Sequence, residues 1–316
     1  MTINIAQTKR LLAPELVKRL ASTYDQFTLE NILKGFAVER SPVIRINTLK
    51  TDKQKMMNML REMNVRFERI PFLADSLIIM NQNEKFFEKL PMYINGEIYF
   101  QGISSQLPPI FLNPQPGEKV LDMCAAPGSK TTQIAIQMQN KGQIIANEKD
   151  QIRHEKLKYN LEKQGIKIAE TIQGDGGELG EKYAEYFDKV LLDAPCSAEG
   201  RINMDEPRTY KFWSEKIVNQ NAKLQRRLFR TAVKVLKPGG ILVYSTCTLA
   251  PQENEILVKG ELEEFKGTIV QEKIDLDFKF KLPLSEGLVG AIKAMPSKIS
   301  EGFFVAKFKK CDKLLV

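Results

Sequence analysis

From Glu118 onward, short apolar runs alternate with segments of helical period, and two of the runs end beside a cysteine. The runs at 120–123, 143–147, 170–172, 189–193, 240–245, 268–272 and 303–308 read as strands, with helices at 130–139, 153–164 and 214–236. Alternating strands and helices predict an α/β fold with a doubly wound, mainly parallel sheet. In such a sheet, chemistry gathers at the carboxyl ends of the strands. Asp193-Ala194-Pro195-Cys196-Ser197 and Ser245-Thr246-Cys247-Thr248 each follow one of these runs. Two thiols at two strand ends are expected to share one site. None of the cysteines is spaced Cys-x-x-Cys, so neither a zinc site nor any other metal is expected. In a reducing compartment a disulfide is not expected either. Cys124 and Cys311 read as structural, with Cys124 near the cofactor loop.

The first hundred residues have a different pattern. Residues 1–35 read as helical, with Leu11, Leu12, Leu16, Val17 and Leu20 at helical spacing. A strand at 43–47, a helix at 52–63, strands at 65–70 and 77–80, and a short strand at 98–100 form a small α+β unit. Pro108, Pro109, Pro114 and Pro116 predict a linker or turn region, which divides the chain into 1–107 and 108–316. Basic and aromatic residues interleave at Arg66, Phe67, Arg69, Lys85, Phe86 and Phe87. That pattern fits an RNA surface, and equally a solvated face over a small core. Residues 275–296 receive no element.

Composition narrows the partners. The formal net charge of +8 fits a polyanion, with nucleic acid the commonest. No apolar stretch approaches the roughly 18 residues of a membrane span. Met1–Ile5 carries no basic region leading into an apolar run, so no signal peptide is expected and the cytoplasm is the default. The one histidine, His154, stands among charged residues and reads as a surface residue. A Ser-His-Asp hydrolase or a multi-histidine metal site is therefore hard to build.

Residues 120–132 read as strand, tight turn and helix around Cys124-Ala125-Ala126-Pro127-Gly128-Ser129-Lys130. Small residues let a ligand approach the backbone, and the helix start offers free N–H groups to an anion. The loop is neither a dinucleotide fingerprint nor a P-loop. Glu148 ends the second strand, where it can accept from ribose hydroxyls. Asp175 follows the third and can accept from an adenine amino group; Asp193 ends the fourth. Three acids at successive strand ends outline a nucleoside with a charged amino-acid tail, which suggests S-adenosyl-L-methionine.

Leu121-Asp122-Met123-Cys124-Ala125-Ala126-Pro127-Gly128, the two cysteine strings, Arg45-Ile46-Asn47-Thr48-Leu49-Lys50, Lys237-Pro238-Gly239-Gly240, Glu253-Asn254-Glu255 and Glu301-Gly302-Phe303-Phe304 together resemble the Nol/Nop/Sun family of RNA 5-methylcytosine methyltransferases. The resemblance implies a Rossmann-like class I methyltransferase domain behind a small RNA-recognition-like subdomain. It implies cofactor contacts from Cys124, Ala125, Ala126, Pro127, Gly128, Ser129 and Lys130, then Glu148, Arg153, Asp175 and Asp193. It also implies that Cys247 attacks cytosine carbon 6 and Cys196 assists release, whereas in DNA cytosine methyltransferases the Pro-Cys cysteine attacks. Asp193 is then expected at cytosine N3, with Lys130 orienting it or lowering a nearby thiol pKa. Ser129 and Ala198 stand where the family usually has glycine, Thr248 where it commonly has serine, and Lys293 opens a stretch often led by arginine. An amino-directed methyltransferase would carry Asn/Asp-Pro-Pro-Tyr/Phe in place of Asp193-Ala194-Pro195-Cys196. A non-catalytic assembly factor would have lost a cysteine or a cofactor acid. The partner is expected to be RNA, with tRNA preferred over rRNA, and the protein to be a monomer. Arg201, Lys211, Phe212 and Trp213 follow the Pro-Cys loop and read as lining for the RNA channel, with a core position the alternative for Trp213.

Overall fold

The structure, a computed structural model, describes residues 5–274, 276 and 290–312. The first four residues, and with them the reading of the amino-terminal start, lie outside the described residues. So does most of the unassigned segment 275–296.

Three helices open the chain: α1 (Ile5–Leu11), α2 (Pro14–Thr23) and α3 (Gln26–Phe36). Pro14 opens α2 at a position where its missing N–H costs nothing. Asp25 caps α3 by accepting from the Thr28 N–H. A small antiparallel sheet follows, built from β1 (Val43–Ile46), β2 (Phe67–Ile70), β3 (Leu73–Ile79) and β4 (Ile98–Phe100) in the order β2-β3-β1-β4. Between them lie α4 (Lys53–Glu62), α5 (Glu84–Glu88) and α6 (Pro91–Ile94). Met56, Met57 and Leu60 of α4 enter the core of this unit together with Phe87. Phe67 and Phe86 pack against that core half-buried. The basic–aromatic interleaving at 66–87 thus supplies core rings as well as exposed cations.

The remaining elements are α7 (Ile103–Leu112), β5 (Lys119–Asp122), α8 (Ser129–Gln137), β6 (Gln143–Glu148), α9 (Gln151–Lys163), β7 (Ala169–Gln173), α10 (Leu179–Lys182), β8 (Phe187–Asp193), α11 (Glu215–Val235), β9 (Leu236–Thr246), α12 (Glu255–Glu264), β10 (Ile269–Glu272), β11 (Ile292–Ala294) and β12 (Phe303–Lys310). They form one sheet in the order β10-β12-β9-β8-β5-β6-β7, with β11 pairing on β12. Strands β5 to β9 are parallel neighbours, and β12 runs antiparallel to β9, β10 and β11. The sheet is therefore mixed. Its central strands are apolar runs with helices over both faces, as parallel strands require.

Several expectations change here. Pro108 and Pro109 lie inside α7, on its buried face, rather than in a linker. Packing against the large sheet outweighs the lost helix hydrogen bonds. The division at 107/108 consequently falls within a helix, and the chain passes from one sheet to the other near Gly102, before α7 begins. Nor do the opening helices join the small sheet. Leu16, Leu20, Ile32, Leu33 and Phe36 share a core with Ile202, Tyr210 and Leu249, which lie in the loops following the two cysteine motifs. His154 is buried, not on the surface. It shares one face of α9 with Leu157 and Leu161, at the i, i+3, i+7 spacing of a packed stripe.

The Arg45–Lys50 string forms the seam between the two sheets. Arg45 donates to Thr132 Oγ1 at 2.7 Å and to the Ser129 carbonyl at 3.3 Å, at the start of α8. Asn47 donates to the Gly96 and Gln164 carbonyls at 3.0 and 2.9 Å. Lys50 Nζ reaches the Asn95 and Lys163 carbonyls at 2.8 and 2.7 Å, the latter closing the negative end of α9.

Candidate active site

Strands β8 and β9 lie side by side with Asp193 opposite Ser245, so the loops that follow them emerge together. That register places the Cys196 and Cys247 sulfurs 3.3 Å apart. All four cysteines are free thiols. Ser197 Oγ and Thr248 Oγ1, one residue beyond each cysteine, are 2.7 Å apart, and the Gly200 N–H donates to the Cys247 carbonyl at 3.0 Å. Gly200 and Gly302 touch backbone to backbone: a Cβ on Gly200 would lie 1.9 Å from the Gly302 carbonyl oxygen. This close approach accounts for the glycine in the Glu301-Gly302-Phe303-Phe304 string.

Asp193 is held from two sides. Ser245 Oγ donates to its Oδ1 at 2.7 Å, and Lys130 Nζ stands 2.7 Å from its Oδ2. Lys130 also donates to Ser105 Oγ at 2.9 Å, so the ammonium is fixed where it can orient the carboxylate. Both cysteines, Asp193 and Lys130 line one open cavity of about 610 Å³, as do Asp122, Cys124 and Arg153. That volume suits a small-molecule ligand.

The cofactor loop leaves β5 and turns into α8. Gly128 takes φ +102° at the helix start, a conformation that favours glycine. Arg153 donates to the Ala126 carbonyl at 2.8 Å and stands 3.4 Å from Glu148 Oε2. Asn160 donates to the Pro127 carbonyl at 2.7 Å. Glu148 is buried, and its Oε2 accepts no hydrogen bond. A buried acceptor that has an ion-pair neighbour but no hydrogen bond is uncommon, and it fits a ligand that brings hydroxyls. Small residues at Ala125, Ala126 and Gly128 leave the backbone open to that ligand. The chain's residues therefore fit S-adenosylmethionine.

Glu148, Gly128 and Asp175 do not line the cavity that holds the thiols. Asp175 caps the turn at Gly176–Glu178 through the Gly177 N–H at 2.9 Å. Arg227 Nη2 lies 2.8 Å from both of its oxygens, and Lys149 Nζ 2.9 Å from one. Burial pushes the Asp175 carboxyl up, but the bonds from Arg227, Lys149 and Gly177 outweigh it and hold the group well below the usual carboxylate range.

Reading the sequence missed two carboxylates. Asp122 is buried, with Thr131 donating to its Oδ2 at 2.7 Å. Burial raises it to about 7, with the Asp193 charge adding to the shift. It ends a strand, the same signal that singled out Glu148. Glu253 opens the Glu253-Asn254-Glu255 string. It accepts from the Ser197 N–H at 3.0 Å, from Ser197 Oγ, and from Gln225 Nε2 at 2.8 Å. Burial raises it to about 7. Nothing in the string reveals this role, because the partners Ser197 and Gln225 come from two segments distant in sequence.

The thiols differ in setting. Cys196 is pushed well above its ordinary value by the hydrogen bond to the Cys247 sulfur, then by burial and by the Cys247 and Glu253 charges. Cys124 is also pushed up, by burial and then by the Asp122, Glu148 and Asp193 carboxylates. It packs half-buried against the core, in keeping with a structural role. Among the described residues no cluster of His, Cys, Asp or Glu is arranged to hold a metal ion. None of their helices is long and apolar enough to cross a membrane.

Residues 109–309 match the family described as 16S rRNA methyltransferase RsmB/F. A tRNA (cytosine(49)-C(5))-methyltransferase of Pyrococcus abyssi is 39% identical over 281 residues, covering 85% of this chain and 88% of the relative. The chain belongs to the RsmB/F methyltransferase family. A ribosomal RNA small subunit methyltransferase F of Shewanella amazonensis is 37% identical over 271 residues, 84% of this chain. The match spans only 57% of that relative's length. Among solved structures, NSun6 from Pyrococcus horikoshii with SFG superposes with a TM-score of 0.84 at 25% identity, covering 96% of this chain and all of that one. A methyltransferase homolog from Pyrococcus horikoshii gives 0.83 at 30% identity, covering 98% of this chain and all of that one. The fold is that of class I methyltransferases, as the resemblance implied, and the cofactor is S-adenosylmethionine.

Proposed function

We propose that this member of the family methylates carbon 5 of a cytosine in RNA, with Cys247 as nucleophile and Cys196 as the group that releases the product. The observation carrying the reading is the 3.3 Å separation of the two sulfurs beside an Asp193 that Lys130 and Ser245 hold in place. Neither a disulfide nor a metal site explains that pair, and an inert structural role would not line an open cavity with both.

Carbon 5 of cytosine is a poor nucleophile. Addition of the Cys247 thiolate to carbon 6 makes an enamine in which carbon 5 becomes nucleophilic. S-adenosylmethionine, when bound, supplies the methyl group. Asp193 binds the N3 edge of the base, and Lys130 fixes the carboxylate there through the step. Cys196 keeps its proton while the neighbouring sulfur is an anion. Once the Cys247 sulfur is bonded to carbon 6 it carries no charge, so its share of the causes holding that proton, the largest among them, is removed. Cys196 then gives up its proton to solvent and its thiolate removes the carbon 5 proton. The carbon 6–sulfur bond breaks, and its electrons return to Cys247.

The cofactor contacts are assigned to Cys124, Ala125, Ala126, Pro127, Gly128, Ser129, Lys130, Glu148, Arg153, Asp175 and Asp193. Asp175 reaches an adenine amino group while Arg227 keeps it ionised. The small sheet and the basic cleft recruit the RNA, and the enzyme acts as a monomer in the cytoplasm. Transfer RNA is the substrate class favoured here. The tRNA-modifying relative is matched along 88% of its length, the rRNA-modifying ones along little more than half. Bisulfite sequencing of total RNA from a deletion strain tests this directly. Loss of one 5-methylcytosine from tRNA is expected; loss from rRNA overturns the substrate, and no loss overturns the activity.

A further inference from the structure

Beside the catalytic cavity lies a second one of about 500 Å³, and four residues, Arg40, Ala198, Arg201 and Glu301, line both. The geometry points to this second cavity as a subsite for the nucleotide adjoining the target cytosine on the same RNA strand. Its base stacks on Phe212, and the linking phosphate crosses between Arg40 and Arg201. The inference rests on the RNA reading above and adds to it the place where a neighbouring base is held.

Three observations support it. First, part of the lining is aromatic: Phe212 and Trp213 both line the cavity with the shared arginines. Phe212 is 72% exposed, with no evident packing role for so large an apolar ring. Bases stack on such rings whatever their sequence. Second, the loop bearing these rings is fixed. Trp213 Nε1 donates to the buried Glu199 at 2.8 Å, and Arg19 pairs with Glu199 and lies 5.2 Å over the indole. The Met204 N–H donates to the Phe36 carbonyl at 2.9 Å. The opening helices thus brace a platform in the segment that follows the Cys196 loop. Third, among the described residues Arg40 donates only to the Gly200 and Ile202 carbonyls, at 3.4 and 3.1 Å. Its Nε is buried without a hydrogen-bond partner among the described residues, and the side chain lines both cavities at their junction.

The other charges on this surface are accounted for. Arg201 lies 3.5 Å from Glu301, and Arg208 2.8 Å from Glu206. Arg40 is in no ion pair among the described residues, which leaves it the cation best placed to meet a phosphate. A nucleotide whose base is flipped into the catalytic cavity leaves its neighbour unstacked. A platform directly beside that cavity replaces the lost stacking.

The test is a binding cycle with a fluorescein-labelled, single-stranded RNA carrying one central cytosine, and with the same RNA made abasic at the position before or after it. Phe212→Ala is expected to weaken binding of the intact RNA about tenfold, with cofactor affinity unchanged. One of the two abasic RNAs should bind the wild type equally weakly and lose nothing further in Phe212→Ala. Phe212→Tyr should restore binding, and Arg40→Gln should lower the salt slope of binding by about one. Additive losses from the variant and both abasic changes would overturn the subsite, as would an unchanged affinity in Phe212→Ala. Methyl transfer is measured separately. If the cycle holds but no 5-methylcytosine forms in RNA from any source, the subsite stands and the proposed reaction falls.

Discussion

The Glu253 carboxylate grips both the backbone N–H and the hydroxyl of Ser197, the residue after Cys196. A group from the loop beyond β9 therefore holds the loop beyond β8. Ser197 in turn meets Thr248, next to Cys247. The two sulfurs approach because this small polar network ties their loops together, at the ends of strands already in register.

The network predicts a pH dependence of stability. Burial raises Glu253 from 4.5 to about 7 and Asp122 from 3.8 to about 7. Between those limits the folded protein holds protons that the unfolded chain releases. Their contribution is full below about pH 4 and is lost as pH rises through 7. Glu253→Gln keeps an acceptor for Ser197 without the titration. Its denaturant midpoint should fall less than that of the wild type between pH 5 and pH 8. The corresponding difference in unfolding free energy should be on the order of 3 kcal/mol at most. Parallel wild-type and variant profiles would remove Glu253 as the source.

Ala198 takes φ +57°, where an L side chain is strained by roughly 1–2 kcal/mol. This is one of the positions at which the family usually has glycine, so the departure carries a cost. Ala198→Gly should raise stability by about 0.5–1 kcal/mol after the extra freedom of the unfolded chain is deducted. Urea titration checks it, and a destabilised variant would contradict it.

For the cofactor, Asp175→Ala should weaken S-adenosylmethionine binding by about 1–3 kcal/mol, read by calorimetry. Arg227→Ala should weaken it in the same direction, because Arg227 holds both Asp175 oxygens. Unchanged affinity in Asp175→Ala would take that residue out of the site.

Asp193→Asn keeps an acceptor for Ser245 and loses the ion pair to Lys130. The turnover rate should drop about 100- to 1,000-fold, the usual cost of removing one group that stabilises developing charge. Methyl incorporation from labelled cofactor measures it. A variant within twofold of the wild type would show that Asp193 does not touch the reacting base.

Much of this site could be read from the chain because strand-end residues sit next to their own apolar runs. Cys196, Cys247, Asp193 and Glu148 all announce themselves in that way. What stayed hidden depends on contacts distant in sequence. Nothing local says that Leu16 and Phe36 pack against Leu249, or that Glu253 meets Gln225. The prolines of α7 suggest a linker because propensity speaks for the isolated segment, whereas the strands that α7 packs on, β8, β9 and β12, come much later in the chain. His154 misled for a similar reason: its charged neighbours line the opposite face of α9, and the burial of its own face shows only in the stripe with Leu157 and Leu161. The Arg45–Lys50 string was recognisable, but its work as a seam between two sheets required the partners Ser129, Thr132 and Gln164.

The central claim is the division of labour between the two sulfurs, and trapping of RNA on the single variants measures it most directly. With cofactor and substrate RNA present, Cys196→Ala should attack and methylate but stall before release. It should accumulate a protein–RNA complex that survives denaturing electrophoresis. Cys247→Ala should form no such complex and no 5-methylcytosine. Trapping by Cys247→Ala and not by Cys196→Ala would reverse the roles, and full activity in both variants without any trapped complex would contradict the covalent mechanism itself.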